Sequence, residues 1–331
     1  MSKKNTFNLG DLSCYRNQLM GIGAILVILC HISISNVKFP YVILKLLSFG
    51  NIGVDIFLFV SGIGMGYSLS KVNLKLELLT WYLKRIKRIA IPYIIIICPY
   101  WVIYAIYNDI TVVEFIKGIL TISYWTNRTG LWYLSMLLPL YFITPFLYVF
   151  FSESSLKKFN LLVCIIACVL LGNGVKSDYG TIFYNIQFVI KRLPSYFMGL
   201  YLFNYVKTKQ EIKINTILCL FCLYFILNFL LKKYCLYFLL VIPICSILIY
   251  IIKINGIFNS FLNYMGRYSL ESYMANHVSM FYLIWLKDKN DFMFLKGNYV
   301  YYLSVVLLSF LIMIVASKIK CILSYKMECL K

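Results

Sequence analysis

Two ionisable residues lie inside consecutive apolar segments near the start of the chain. His31 follows the run Met20–Cys30, and Asp55 follows Gly53 and Val54 at the start of the next run. Ionisable side chains are costly in hydrocarbon and usually face a bundle interior or a wet cavity, where they serve function. Each residue also has a plainer explanation: His31 could bond a neighbouring helix, and Asp55 could lie at headgroup level. We predict that they share one depth and form a general-base dyad, in which Asp55 orients the His31 imidazole.

Arginines at two further places suggest contacts with a phosphorylated ligand. Arg85 and Arg88 lie three residues apart, on one face of a helix, shortly before Pro92. Two guanidinium groups in this arrangement suit bidentate binding of phosphate, although a charge cluster that only fixes topology is the plain alternative. Arg192 lies deep in an apolar run, two residues before Pro194. We predict that it lines a channel and contacts the cofactor, with an internal salt bridge as the alternative.

Four further residues are candidates for binding a substrate. Asn276 and His277 fall near the middle of a late apolar segment, where polar side chains need partners. Trp132 and Tyr133 fall near a helix end on the predicted outer side, where they could offer aromatic surface to a sugar. Most aromatic residues at helix ends belong to the ordinary interfacial belt, which is the alternative here.

Composition identifies the class of protein. The chain has 331 residues, of which 62% are hydrophobic and 13% charged, and its mean hydropathy is +0.82. Soluble domains are about half apolar and a quarter charged. The net charge of +20 follows from the excess of basic residues in cytoplasmic loops of membrane proteins, so no nucleic-acid partner is expected. The 11 cysteines are scattered and odd in number, and with only two histidines we expect neither a disulfide framework nor a metal site.

These residues must be positioned by membrane-spanning helices. Runs of about 20 apolar residues predict an all-α, polytopic membrane bundle of ten helices in a single domain, 1–331, without a soluble appendage. The helices are predicted at roughly 17–36, 50–70, 89–107, 131–151, 159–175, 182–206, 214–231, 234–252, 268–286 and 298–317. Residues Phe39–Phe49 are predicted to form a loop or interfacial turn. The connecting segments on the same side of the bundle as the two termini hold about twice as many basic residues as those on the opposite side. Because basic residues are in excess in cytoplasmic segments, both termini are predicted to be cytoplasmic.

Six short blocks in chain order resemble the acyltransferase 3 family of membrane enzymes. The matching residues are His31, Gly53-Val54-Asp55 through Ser61-Gly62, Arg85 and Arg88 with Pro92, Leu131-Trp132-Tyr133-Leu134, Arg192 to Gly199, and Gly266 to His277. Many relatives carry an arginine eleven residues before the histidine, where this chain has Met20. Arg16, one turn earlier, is expected to replace it as a contact of the cofactor.

The resemblance implies a membrane O-acyltransferase in the plasma membrane. It would move an acyl group, expected to be acetyl from cytoplasmic acetyl-coenzyme A, to a hydroxyl of a surface or lipid-linked carbohydrate. The alternatives are an exporter and a non-catalytic accessory subunit of a surface polysaccharide system. An exporter should have a continuous polar pathway, and an accessory subunit needs no ionisable pair within the membrane. The sequence does not indicate an oligomeric state.

Overall fold

The computed structural model describes residues 5–34, 39–173, 178, 181–231, 236–254, 256–288 and 299–329, which are mostly helical. The helices are α1 (Asp11–Cys14), α2 (Arg16–Ile34), α3 (Tyr41–Ser48), α4 (Ile52–Leu69), α5 (Leu78–Asn108), α6 (Val112–Ile119), α7 (Ile122–Asn127), α8 (Trp132–Tyr148), α9 (Lys157–Asn173), α10 (Ile182–Ile190), α11 (Leu193–Lys207), α12 (Ile214–Leu230), α13 (Phe238–Ile254), α14 (Asn259–Arg267), α15 (Ser269–Asp288) and α16 (Tyr299–Cys329). Two short strands, β1 (Thr6–Asn8) and β2 (Glu211–Lys213), pair antiparallel.

The predicted loop Phe39–Phe49 is wrong, because this segment contains helix α3. A single 3-10 turn, Phe49–Asn51, joins α3 to α4, so the apolar helix extends over Tyr41–Leu69. Helix α5 likewise begins at Leu78, about three turns before the predicted start. The second apolar helix is therefore longer at its N-terminal end than its composition suggested.

The predicted helix 182–206 is divided into α10 and α11. Arg192 is the N-cap residue of α11, and Pro194 lies in the first turn of that helix. Proline is tolerated at the start of a helix because the first backbone N–H groups have no partner within it. The break therefore falls where Pro194 allows a new helix to begin, and it leaves Arg192 between two helices.

Four helices in the described part of the chain are long and apolar enough to cross a membrane. They are Tyr41–Leu69, Leu78–Asn108, Trp132–Glu153 and Tyr302–Leu323, and shorter apolar helices span Arg16–His31, Ile214–Leu230 and Phe238–Ile254. Large apolar side chains also cover the outside of the bundle, such as Ile106, Phe142 and Phe229, which are about 70% exposed. Extended apolar surface of this kind favours a lipid environment. The chain is a helical membrane protein; the number of ten spans stays a prediction.

Basic segments far apart in sequence meet at one end of the bundle, which we call the basic end. Strand β1, before the first long helix, pairs with β2, which follows α11. Lys253 at the end of α13 bonds Asp11 at 2.6 Å, and Lys320 forms an ion pair with Glu271 at the start of α15. These segments were all predicted to be cytoplasmic. The predicted cytoplasmic ends 1–4 and 330–331 lie outside the described residues, as do the predicted external residues Lys176, Lys232, Lys233, Lys289 and Lys296.

Helix α4 is buried along most of its length and crosses α11 in backbone contact. A Cβ atom placed on Gly62 would lie 2.4 Å from the carbonyl oxygen of Tyr196, and one on Gly199 would lie 2.2 Å from that of Phe59. Only glycine permits such an approach, and small residues are typical of packed membrane helices. Two glycines of the sequence blocks therefore serve the packing of helices that carry the site.

Candidate active site

A cavity of about 310 Å³ lies at the basic end between α2, α4, α5, α8 and α15. We call it the arginine cavity because Arg16, Arg85 and Arg88 line it, together with uncharged side chains. The Nε atoms of Arg16 and Arg85 are buried and have no hydrogen-bond partner among the described residues. No carboxylate of the described residues belongs to its lining. The cavity thus holds uncompensated positive charge, which suits an anionic group.

The position of Arg85 is fixed by contacts outside the cavity. Its guanidinium group donates a hydrogen bond to the hydroxyl of Ser68 and lies 5.5 Å from the centre of the Trp81 ring. The indole N–H of Trp81 donates to the same hydroxyl at 2.7 Å. These contacts fix the Arg85 side chain in one conformation and so reduce the conformational entropy that it would lose when a ligand binds.

Three aromatic side chains form part of the lining of the arginine cavity. Phe57, Tyr133 and Tyr273 all line it, and we call these three the aromatic wall. The ring centres of Tyr133 and Tyr273 lie 5.4 Å apart, and those of Phe57 and Tyr133 lie 6.1 Å apart. The backbone N–H of Tyr133 donates to the Tyr273 hydroxyl at 3.3 Å. This bond satisfies one N–H group at the start of α8, where helices lack internal partners.

His31 lies beyond the aromatic wall and is oriented by an amide. Its Nδ1 lies 2.5 Å from Oδ1 of Asn276, which follows Tyr273 by three residues on α15. The Asn276 amide nitrogen donates to Ser309 at 3.3 Å, and the Ser309 hydroxyl donates to the carbonyl of Val305 at 2.6 Å. This order of donors turns Oδ1 towards His31, and Nδ1 donates to it in the tautomer that carries the proton on Nδ1. The lone pair of the neutral imidazole is then on Nε2, as a general base requires.

Asp55 does not lie at the depth of His31, so the predicted dyad is wrong in its geometry. A Cβ atom on Gly53 would lie 2.4 Å from the carbonyl oxygen of Gly23, and one on Gly50 would lie 2.2 Å from that of Leu26. These contacts set the antiparallel register of α2 and α4 and bring Asp55 level with about residue 21. The two side chains therefore start about ten residues, or ~15 Å, apart along the bundle axis.

Asp55 is bonded instead to residues at the junction of α10 and α11. Arg192 forms an ion pair with one carboxylate oxygen, and the hydroxyl of Ser195 donates to the other at 2.7 Å. The side chains of Asp55 and Arg192 are only 1% and 3% exposed. The Arg192 guanidinium also lies 5.4 Å from the ring centre of Tyr237. The internal salt bridge, which was the alternative for Arg192, is therefore present, and Arg192 lies outside the arginine cavity.

The comparison with known proteins identifies the family of the chain. A family model described as an acyltransferase domain, that of the acyltransferase 3 family, matches residues 17–318. The chain belongs to this family. It is therefore a membrane acyltransferase, an enzyme that transfers acyl groups other than aminoacyl groups. Neither a curated protein nor a solved structure matches the chain.

The remaining candidate residues of the acyltransferase do not line one common cavity. Tyr133 belongs to the aromatic wall, whereas Trp132 packs edge-on against Phe188 of α10 with ring centres 4.9 Å apart. His277 lies 4.6 Å from the ring centre of Phe281 and lines a small cavity of about 10 Å³, the size of one water molecule. Binding of a substrate by Trp132 and His277 stays a prediction, as does binding of the cofactor by the three arginines.

Three residues that position the acyltransferase site were not singled out from the sequence. Tyr273 stands inside the last block, but its only signal was the match to that block. Ser309 is one of several serines in an apolar helix, and Ser68 lies near the end of another. Such residues are too common in membrane helices to be chosen without knowledge of their neighbours.

Proposed function

We propose that this acyltransferase moves an acyl group, in particular acetyl, from acyl-coenzyme A to a hydroxyl of a surface or lipid-linked carbohydrate. The supporting observation is the alignment of two sites along one helix. Arg16 lines the arginine cavity at the start of α2, and His31 follows it by fifteen residues. This spacing corresponds to ~22 Å along the axis and to a rotation of about 60°, so both face a similar direction. A donor held by its phosphates would extend its acyl end towards His31.

The arginine cavity favours coenzyme A over an uncharged donor. Arg16, Arg85 and Arg88 offer forked donors to phosphate oxygens, and no carboxylate of the described lining competes for them. The pantetheine arm is uncharged and would follow the more apolar side of the cavity, formed by Met20, Leu137 and the aromatic wall. The wall must open for the thioester to reach His31.

The reaction would use His31 as a general base. Its Nε2 accepts the proton of the acceptor hydroxyl while the oxygen attacks the thioester carbonyl carbon. The tetrahedral intermediate then collapses and breaks the carbon–sulfur bond. The imidazolium returns the proton to the departing thiolate, so the products are the ester and free coenzyme A. Asn276 keeps the proton on Nδ1 and holds the ring in place, the role that asparagine has in Cys-His-Asn sites.

The proposal includes the sidedness of the protein in the plasma membrane. The basic end would face the cytoplasm, with ten spans and both termini on that side, and the acceptor would approach His31 from outside. The ordered His31, Asn276 and Ser309 contacts argue against a purely accessory subunit.

Replacement of His31 by alanine tests the proposal. Cells that produce the protein would be supplied with labelled acetate, which enters acetyl-coenzyme A, and label in envelope carbohydrate would be measured. We expect His31→Ala to lower transfer by about 10²–10⁴-fold with unchanged protein level and melting temperature. Ser279→Ala is the matched control, since Ser279 is buried about one turn beyond Asn276 in α15 and donates, among the described residues, to the Ala275 carbonyl. Transfer at the wild-type rate by His31→Ala would exclude the mechanism.

A further inference from the structure

A second cavity of about 540 Å³ adjoins the arginine cavity at the basic end, and we call it the mouth cavity. It lies between the end of α4, the turn that follows and the first two turns of α5. Gly64, Tyr67 and Arg85 line both cavities. The two spaces are therefore neighbours, and Arg85 could contact a ligand in either one.

The mouth cavity carries its own positive charge. Lys71 and Lys84 line it, and neither forms an ion pair with a described residue. Glu77 is the one carboxylate among the described lining residues, and its Oε2 already accepts the backbone N–H of Asn73 at 2.9 Å. Lysine binds phosphate as a point charge without the geometry that a guanidinium fork demands. The pair suits a terminal phosphate that rotates freely.

A purine base would also find suitable surface here. Tyr67 lines the mouth cavity as a partly exposed aromatic group beside the charged residues, whereas Trp81 is buried against Arg85. Arg85, at the junction of the cavities, is fixed by Ser68 and Trp81. A phosphate bound by Arg85 would therefore lie between the lysines on one side and Arg88 on the other.

We propose that the mouth cavity binds the nucleotide end of the donor, with Lys71 and Lys84 holding its ribose 3′-phosphate. This inference rests on the proposed function, because it assigns the other end of the same ligand. Coenzyme A has a diphosphate linkage and a separate phosphate on its ribose. The linkage would lie at Arg85, Arg88 and Arg16, and the ribose phosphate would lie at the lysines. The site would then distinguish coenzyme A from thioesters that lack the ribose phosphate.

The test compares two ligands that differ in this phosphate alone. Coenzyme A and dephospho-coenzyme A would be titrated into the full-length protein in detergent by calorimetry. We expect the wild-type protein to bind coenzyme A at least about tenfold more tightly than dephospho-coenzyme A, because charged hydrogen bonds to the extra phosphate add to the binding free energy. Lys71→Gln and Lys84→Gln should weaken binding of coenzyme A towards the level of dephospho-coenzyme A and leave binding of the latter unchanged. Lys75→Gln is the matched control, since Lys75 is an exposed lysine of the same turn outside the lining.

The outcomes separate this inference from the proposed function. If the variants and the wild type bind coenzyme A equally, the lysines have another role, such as contact with lipid phosphates, and the inference fails alone. If the lysine variants bound both ligands more weakly by the same factor, the inference would also be overturned, because the lysines would then contact the diphosphate. If neither ligand binds the wild-type protein, the proposed donor is wrong and the inference falls with it.

Discussion

The ion pair of Asp55 and Arg192 offers a test that separates structure from chemistry. Asp55→Asn removes one charge from a pair that is almost fully buried. The guanidinium of Arg192 then stays charged in an apolar interior, because arginine does not lose its proton in proteins. We therefore expect Asp55→Asn to destabilise the folded protein, whatever it does to activity.

The size of the expected loss of stability follows from the burial of the Asp55–Arg192 pair. Removal of one partner of a buried ion pair typically costs about 3–5 kcal/mol. At roughly 2–4 °C per kcal/mol for chains of 150–250 residues, the melting temperature should fall by roughly 10 °C. The double variant Asp55→Leu/Arg192→Met removes both charges and should recover most of this loss, because apolar replacements of buried pairs are often neutral. Ser152→Ala, which removes a neutral bond to the Leu200 carbonyl at a similarly buried site, should cost only about 1 kcal/mol.

The assay is thermal unfolding in detergent, followed by size-exclusion chromatography of the protein that remains monodisperse. Transfer activity is measured on the same preparations. Full activity of the folded fraction of the double variant would show that the ion pair stabilises the fold and takes no part in the reaction. Asp55→Asn with a wild-type melting temperature and no transfer would refute the structural role and restore Asp55 as a catalytic group.

Two further predictions concern His31 and the membrane. Asn276→Ala should lower kcat by roughly 10²–10⁴-fold with little change in the KM for the donor, because the imidazole loses its fixed tautomer; an unchanged kcat would contradict the role of the amide. In a cysteine-free background, Asp109→Cys should react with an impermeant thiol reagent added outside intact cells, whereas Lys75→Cys should react only after the cells are opened. Both residues are exposed and flank α5 at opposite ends, so the reverse pattern would overturn the proposed sidedness.

The sequence predicted which residues are unusual better than it predicted their partners. A histidine, an aspartate, an arginine and an asparagine inside apolar helices each indicate a polar contact, because hydrocarbon offers them none. Three of the contacts join residues more than 130 positions apart, as between Asp55 and Arg192 or His31 and Asn276. Composition and spacing carry no information about which distant helices become neighbours.

The error in the depth of Asp55 has a local cause. Its height was counted from the start of an apolar run near residue 50, on the assumption that Phe39–Phe49 is a loop. The helix in fact continues back to Tyr41, which lies about 21 Å from Asp55 at 1.5 Å per residue. A polar or aromatic residue at the end of an apolar run does not end a helix when no proline or cap follows. The boundary of one helix thus decided whether two ionisable residues could meet.

The aromatic wall explains how the two sites can share one membrane bundle. A permanently open path from the arginine cavity to His31 would let water reach the thioester and ions cross the membrane. Opening the wall requires the loss of two aromatic contacts, each about 0.5–1.5 kcal/mol, and of two hydrogen bonds of about 1 kcal/mol each, one from the Tyr133 N–H to Tyr273 and one between the side chains of Tyr133 and Ser61. This total of about 3–5 kcal/mol is small beside the free energy available from several charged phosphate contacts at about 1.5–3 kcal/mol each. In the proposed mechanism, binding of the donor phosphates at the basic end would supply enough free energy to open the wall, and we expect that only a donor that engages the arginines brings its acyl group to His31.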